Sequence, residues 1–566
     1  MPRDYSDLSK EQLIALLERR DRERRLGLVW EREAIERDRA VNTDFVTLDE
    51  IPDLSRPGPA GARNLVIEGD NYDALRALRM THKGKVKCIY IDPPYNTGAK
   101  DWVYNDRYVA KEDRYRHSLW LEFMHQRLTL ARDLLREDGV LLISIGQSEV
   151  SRLGVLLEDI FSEENELGTI IWKNATDNNP THISEEHEYI FVIAKDRNKL
   201  KNEWKSNNSK SRDLILEMGE QILMRSSSLS EAQKLYADWH KENKDQLWPL
   251  ERYSLIDETG PYTRNQSVHN PGREGYRYDV LHPVTGKPCK QPLMGYRFPP
   301  ETMDRLIKEE RVIFGENENK IIELKLYAHE FRKKLHSVIN IDGRLGSYDL
   351  KSLFGKNAKV FNFPKPVELL KELLSFTSQP NDLILDFFAG SGTTAHAAMA
   401  LDQEEGVAPE EGRRWIMVSS TEATADEPEK NLARDVLRER IVRAADKLGR
   451  APDFAYLRCR RTAQEDIAYD VDGPDVWRLI QLRHDLPLAP FDPGAAVHQA
   501  IGRERVVYLD VVSAETAEVV EAALSEEAGA RPVHVYSWTA GLLRERFEGR
   551  ATLLQLPGAL EAGFWT

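Results

Sequence analysis

Asp92, Pro93, Pro94 and Tyr95 stand in succession inside IDPPYNTG, directly after the apolar run KCIYI. An exocyclic amine on a nucleobase is a poor nucleophile, because its lone pair is delocalised into the ring. Two acceptors, here the Asp92 carboxylate and the Pro93 carbonyl, could bond its two N–H groups and favour a tetrahedral nitrogen whose lone pair points at an electrophile. The paired prolines fix the loop and remove competing donors. Tyr95 offers a ring on which a base taken out of a duplex could stack. The plainer alternative is a rigid strand-end turn with a capping aspartate, and the strand before the motif and the NTG after it weigh against that alternative.

A second cluster is DFFAGSGTTAHA, Asp386 to Ala397. Gly390 and Gly392 permit close backbone approach, and the helix that follows offers free N–H groups to a carboxylate or phosphate. The spacing matches neither the P-loop nor GxGxxG. Phe387 and Phe388 read as core and pocket wall. Asp70, in IEGDN, either accepts from an adenine amino group or caps the next helix, and the two roles are compatible. His187 and Glu188 raise a metal or acid–base reading, but one histidine beside a strand lacks partners at metal spacing, so no metal is expected.

Alternating strands and helices must carry these turns. Strand patterns LVIEGD, KCIYID, VLLISI, TIIWK and YIFVIAK interleave with helical patterns from Asn64 to Lys195, and the alternation resumes at Pro364 with PVELLKELLSF, LILDFF, TAHAAMA and WIMVSS. An α/β, doubly wound (Rossmann-like) sheet is the natural architecture. The predicted organisation is an amino-terminal helical arm (1–60), one half of the sheet domain (61–195), a poorly periodic insertion (196–355), the other half (356–450) and a small, separate C-terminal α/β domain (465–566).

The chain has 566 residues, 41% hydrophobic and 31% charged, with a mean hydropathy of -0.54. These values exclude disordered, collagenous and membrane-spanning classes. MPRDYSDLSKEQ lacks the apolar core of a signal peptide, and Cys88, Cys289 and Cys459 form no CxxC pair, so a reducing cytoplasm is expected. The net charge of -15 is unevenly spread: Asp196 to Val360 carries +5 and Leu401 to Thr566 carries -10. Within the positive stretch arginines interleave with tyrosines, namely Arg252, Tyr253, Tyr262, Arg264, Arg273, Tyr276, Arg277, Tyr278, Tyr296 and Arg297. Arginine can bond guanine edges or phosphates and tyrosine can stack, so DNA contact is expected there.

Together these segments resemble the β-class DNA amino-methyltransferases that use S-adenosyl-L-methionine, and specifically the modification subunits of type III restriction–modification systems. The resemblance covers roughly Leu28 to Gly449 and rests on NLVIEGDNYDALRALR, GKVKCIYIDPPYNTG, LARDLLREDGVLLISI, EEHEYIFVIAK, FNFPKPVELLKELL and LILDFFAGSGTTAHA. It implies that Asp92, Pro93, Pro94 and Tyr95 form the catalytic loop. Asp386, Phe388, Ala389, Gly390 and Gly392 would hold the methionine end of the cofactor, Asp70 would face its adenine, and Lys365 and Pro366 would line the cofactor site. Many relatives place an acidic residue after the strand that here reads WIMVSS, where Ser419 and Ser420 stand instead, and Glu422 is close enough to substitute. The catalytic motif precedes the cofactor motif, as in the β-class enzymes, and the resemblance thereby implies that the insertion is a target-recognition domain.

The resemblance implies methyl transfer to adenine N6 in double-stranded DNA, with base flipping, in a restriction–modification or related phage-defence system. Cytosine N4 is a close rival because both amines present the same two N–H groups. A DNA-recognition subunit serving a nuclease or translocase is a different class, and an RNA or small-molecule methyltransferase fits the large insertion less well. Expected partners are duplex DNA, a second copy in a homodimer and a restriction or translocase subunit. The role of the tail from about Glu465 stays open.

Overall fold

A computed structural model describes residues 44–564 apart from 60, 98, 105–106, 111–115, 175–181, 202, 207–208, 266–267, 270–271, 358–359, 424–426 and 528–529. Most of the helical arm expected over 1–60 lies outside the described residues. The chain divides into two compact units, 1–203 with 336–566, and 204–335.

The first unit is built on a ten-stranded sheet. Its strands in chain order are β1 (Phe45–Glu50), β2 (Asn64–Glu68), β3 (Val86–Ile91), β4 (Leu135–Ile145), β5 (Glu166–Lys173), β6 (His187–Ala194), β7 (Val338–Asn340), β8 (Leu383–Asp386), β9 (Arg414–Ser419) and β10 (Phe454–Thr462). Helices α1 (Asn71–His82), α2 (Arg116–Leu134), α3 (Val150–Phe161), α4 (Val367–Thr377), α5 (Thr393–Glu404) and α6 (Glu439–Lys447) connect or cover them. The spatial order is β1-β10-β2-β9-β8-β3-β4-β6-β5-β7. Strands β10, β2, β9, β8, β3 and β4 run parallel, whereas β6 is antiparallel to both of its neighbours.

The central strands read as unbroken apolar runs because both faces are covered. Ile89 and Ile91 of β3 and Leu385 of β8 share a core with Leu75, Met124 and Leu153 from α1, α2 and α3. Alternate residues turn to the opposite face, where the Cys88 thiol meets the Thr377 hydroxyl of α4 at 3.3 Å. Strand β8 leads through α5 to β9 on one side, and β3 leads through α2 to β4 on the other. Their carboxyl ends therefore diverge into a crevice, the place where such sheets take ligands.

The C-terminal segment forms its own four-stranded sheet, Val497–Ile501, Arg505–Leu509, Val533–Ser537 and Thr552–Gln555, over a small core of Val507, Leu509, Val520, Val535 and Phe547. Tyr508, Tyr536, Leu560 and Phe564 nevertheless join the core of the main sheet, and the Phe564 ring lies 4.8 Å from that of Phe45. The tail is thus part of the first compact unit.

In the second unit, Leu255–Asp257, Gly260–Asn265, Glu323–Tyr327 and Val312–Ile313 make a four-stranded antiparallel sheet, preceded in the chain by helices Lys210–Arg225 and Leu229–Glu242. Over 204–335 there are 22 Lys and Arg against 20 Asp and Glu, a net of +2, so much of the positive excess expected for the insertion lies outside this unit. No described helix is long and apolar enough to cross a membrane, and all three cysteines are free.

Candidate active site

Asp92 follows the last residue of β3, and the glycine turn follows Asp386 at the end of β8. The two strands are hydrogen-bonded neighbours, Ile384 beside Cys88 and Leu385 beside Ile89, so both motifs open into one crevice. The prolines carry the chain away from the sheet, and the indole N–H of buried Trp120 on α2 holds the Pro94 carbonyl at 2.8 Å. Among the described residues no donor reaches the Pro93 carbonyl. Asn96 takes a left-handed φ of 55°, a conformation asparagine tolerates, and its amide donates to Glu149 at 2.6 Å. The Tyr95 ring packs over Gly146, where a Cβ would stand 2.9 Å from Cδ2.

Four polar side chains converge on this loop. The Tyr95 hydroxyl lies 3.0 Å from Asp92 Oδ1 and 2.5 Å from Glu188 Oε2. Lys365 Nζ lies 2.9 Å from Asp92 Oδ1, 2.9 Å from Glu188 Oε2 and 2.8 Å from the Tyr95 hydroxyl. The far oxygen of Glu188, Oε1, accepts from Asn174 Nδ2 at 2.7 Å. Burial raises the Asp92 pKa above the usual carboxylate range, Lys365 pulls it back and Glu188 adds to the rise. The Lys365 ammonium loses hydration here, yet Asp92 and Glu188 together raise its pKa. Burial, with both carboxylates, pushes the Tyr95 phenol well above its ordinary value.

Glu188, which the sequence offers beside His187 for metal or acid–base work and which is set aside there for want of partners, bonds both Tyr95 and Lys365 in this cluster. Because β6 runs antiparallel to β4, with Tyr189 beside Ile145, the start of β6 reaches the edge of the sheet where the parallel strands end. His187 makes an edge contact with the Tyr189 ring, and it belongs to no metal-ligand cluster among the described residues. Lys365, expected to line the cofactor site, has its ammonium between the Asp92 and Glu188 carboxylates, to which the cation is drawn. Pro366 is the N-cap residue of α4.

In the glycine turn, Asp386 is buried and its carboxylate is engaged from within. Oδ2 accepts from the Thr394 hydroxyl at 2.5 Å, and Oδ1 accepts from the Phe388 N–H at 3.0 Å. Burial outweighs these bonds and pushes its carboxyl up to about 7, with Asp92 contributing. Gly390 (φ 49°) and Gly392 (φ 81°) occupy the left-handed region, and a side chain at Gly390 would crowd the Phe361 ring at 3.0 Å. Buried Ala389 donates its N–H to the Val418 carbonyl of β9 at 3.1 Å, and the Phe388 ring lies 6.0 Å from Phe123. Arg440 of α6, fully buried, straps the turn from behind by donating to Ser391 at 2.8 Å and Thr393 at 2.7 Å. A lone arginine in an amphipathic helix carried no sequence signal of this role.

Asp70 caps α1, accepting from the Tyr72 N–H at 2.7 Å, and Arg127 Nη2 approaches its oxygens at 3.2 and 3.3 Å while the carboxylate stays half-exposed. Asn71 joins this end of β2 to the glycine turn by donating to the Phe387 carbonyl at 3.0 Å. Glu422 has a left-handed φ of 52° and pairs with Lys430 at 3.1 Å on the surface.

The five arginines Arg252, Arg264, Arg273, Arg277 and Arg297 belong to the second unit, and all are exposed. Their tyrosine companions divide. Tyr276 is half-exposed, whereas Tyr253 and Tyr296 are buried in hydrophobic cores, so these two cannot stack on an external base.

The profile of a family described as DNA methylase matches residues 86–424, more than half of the chain. The Mod subunit of the type III restriction-modification enzyme EcoP15I of Escherichia coli is 44% identical over 415 residues, 68% of this chain and 64% of that one. The StyLTI Mod subunit of Salmonella typhimurium is 30% identical over 419 residues, 68% of this chain and 58% of that one. The chain thus spans about three fifths of the length of these curated relatives. The solved PvuII DNA methyltransferase, described as cytosine-N4-specific, aligns with a TM-score of 0.31 at 10% identity, over 71% of this chain and 97% of that one, too loosely to carry a conclusion. With both motifs inside the matched span, and the span covering most of the sheet, the chain belongs to the DNA methylase family.

Proposed function

We propose that this chain transfers a methyl group to the N6 amine of adenine in double-stranded DNA. It would act as the modification and specificity subunit of a type III restriction–modification system, with a role in phage defence. The observation that carries the reading is the shared crevice of β3 and β8, which sets Asp92 and the open Pro93 carbonyl beside the glycine turn. Those two acceptors would take the two N–H groups of the target amine and direct its lone pair, while the Tyr95 ring, fixed by its hydroxyl and by Gly146, would bear the flipped base. The residues of the glycine turn suit a cofactor with a positively charged end, since a buried carboxyl pushed up to about 7 would ionise readily beside a cation. The Phe388 to Gly392 turn, Asp386 and Asp70 would hold S-adenosylmethionine, with Glu422 a further candidate. When bound, this cofactor supplies an electrophilic methyl group on a sulfonium.

The names of the relatives, Mod subunits of type III restriction-modification enzymes, support a further subunit as partner, while a homodimer of this chain and a cytoplasmic location are carried from the family resemblance alone. The exposed arginines of the second unit, Arg252, Arg264, Arg273, Arg277 and Arg297, would contact DNA. Single-molecule sequencing of DNA from cells expressing the chain tests the reading. It should report N6-methyladenine at one recurrent sequence. Unmodified DNA would refute the activity, and N4-methylcytosine would replace the base assignment.

A further inference from the structure

Two carboxylates, one ammonium and one phenol share the crevice, and their distances are unequal. A phenol carries a single proton, so Tyr95 donates to one carboxylate at a time, and 2.5 Å against 3.0 Å directs that hydrogen bond to Glu188 and not to Asp92. Lys365 then divides its donors among Asp92, Glu188 and the Tyr95 oxygen. Asp92 Oδ1 is left with one close donor, and Oδ2 has none among the described residues. Glu188 is itself pinned by Asn174, so it does not swing away.

We infer that Glu188 is a positioning residue for methyl transfer: it draws the Tyr95 hydroxyl and part of Lys365 away from Asp92, so that the Asp92 carboxylate stays available to the target amine. The inference rests on the proposed methyltransferase activity. Without the negative charge of Glu188, Lys365 and Tyr95 would both turn to Asp92 and compete with the amine for its oxygens. An acceptor already engaged by an ammonium and a phenol is a weaker partner for an N–H of the substrate.

The charged and titratable groups that face Asp92 come from four elements: Lys365 before α4, Glu188 on β6, Tyr90 on β3 with Tyr95 just beyond it, and Asp386 on β8. Of these only Glu188 is both ionisable and bonded to the two groups that bind Asp92. Glu188→Gln keeps the shape and the carbonyl that accepts from Asn174, while removing the charge. It lowers the Asp92 pKa, because a neighbouring negative charge disappears and the ammonium is no longer shared.

The test uses the full chain, S-adenosylmethionine and duplex DNA containing the recognised sequence, with single-turnover methyl transfer measured across pH. In Glu188→Gln the rate should fall about tenfold at its plateau, DNA and cofactor binding should stay as in the wild type, and the acid limb of the profile should move to lower pH. Glu188→Asp, which keeps the charge, should return the limb toward its wild-type position. A slower Glu188→Gln variant whose limb does not move would overturn the inference and leave Glu188 a packing residue. Infrared titration of the carboxyl groups, with Asp92→Asn used to assign the band, reads the same shift without catalysis. If the wild type transfers no methyl group, the proposed activity fails while the infrared arm still decides the role of Glu188.

Discussion

Asp386 makes a quantitative prediction, because its carboxyl is buried at the end of β8 with no cation beside it among the described residues. Burial is the largest cause of its rise to about 7 from an ordinary 3.8, and the bonds from Thr394 and the Phe388 N–H offset only part of that cost. A carboxyl whose pKa is higher folded than unfolded stabilises the fold fully below about pH 4. That contribution is lost as pH rises through about 7. Three pKa units correspond to roughly 4 kcal/mol at pH 8, and the weaker acceptor of an amide returns about 1 kcal/mol of it. Asp386→Asn should therefore be about 2 to 4 kcal/mol more stable than the wild type at pH 8 without cofactor, and equal or slightly less stable near pH 4. Thermal melts at the two pH values read this as a Tm gain of several degrees that vanishes in acid. Calorimetry on the same variant should show weakened S-adenosylmethionine binding. A variant less stable than the wild type at pH 8 would overturn this expectation, since the carboxylate would then be ionised and well satisfied by Thr394 and the backbone.

Asp92→Ala should cost about 3 to 4 kcal/mol in the transfer step, by analogy with a lost donor at a preorganised site, or a hundred- to thousandfold in single-turnover rate. DNA affinity at fixed salt should be nearly unchanged and a melting curve should show a folded protein, whereas near-normal transfer would reduce Asp92 to a turn cap. Gly146→Ala puts a Cβ 2.9 Å from the Tyr95 ring, so transfer should slow while binding of S-adenosylmethionine without DNA persists. Equal activity would mean that the ring does not bear the base. Arg273→Ala with Arg277→Ala should flatten the salt dependence of DNA binding by nearly one unit of slope for each phosphate no longer neutralised. An unchanged slope would remove these two exposed arginines from the DNA-binding surface.

Much of the sheet was legible because β3 and β8 are buried on both faces and read as KCIYI and LIL, runs that only a covered parallel sheet explains. The direction of β6 was not legible. YIFVIAK has the same composition whichever way it runs, and the antiparallel pairing comes from the partners β4 and β5. That one unknown left Glu188 a candidate without a role, because what it can do depends on which edge of the sheet it reaches. Lys365 was placed near the site by its motif, but its partner was set by the two carboxylates, which lie 177 and 273 positions away in the chain. Tyr253 and Tyr296 looked available for stacking because period alone cannot separate a core ring from a surface ring in so irregular a segment. The C-terminal strands were visible as alternating runs, yet the union of Tyr508, Tyr536 and Phe564 with the main core is a long-range fact that no local pattern carries.

If one crevice holds both the cofactor turn and the amine-orienting loop, a methyl group passes from the cofactor straight to a DNA base. The decisive experiment is to incubate the purified chain with methyl-labelled S-adenosylmethionine and duplex DNA, digest the DNA and identify the labelled nucleoside by mass spectrometry. Label should appear in N6-methyldeoxyadenosine with the wild-type chain and fall by roughly a hundredfold or more with Asp92→Ala. DNA free of label after incubation with a folded, cofactor-binding protein would contradict direct transfer in this crevice.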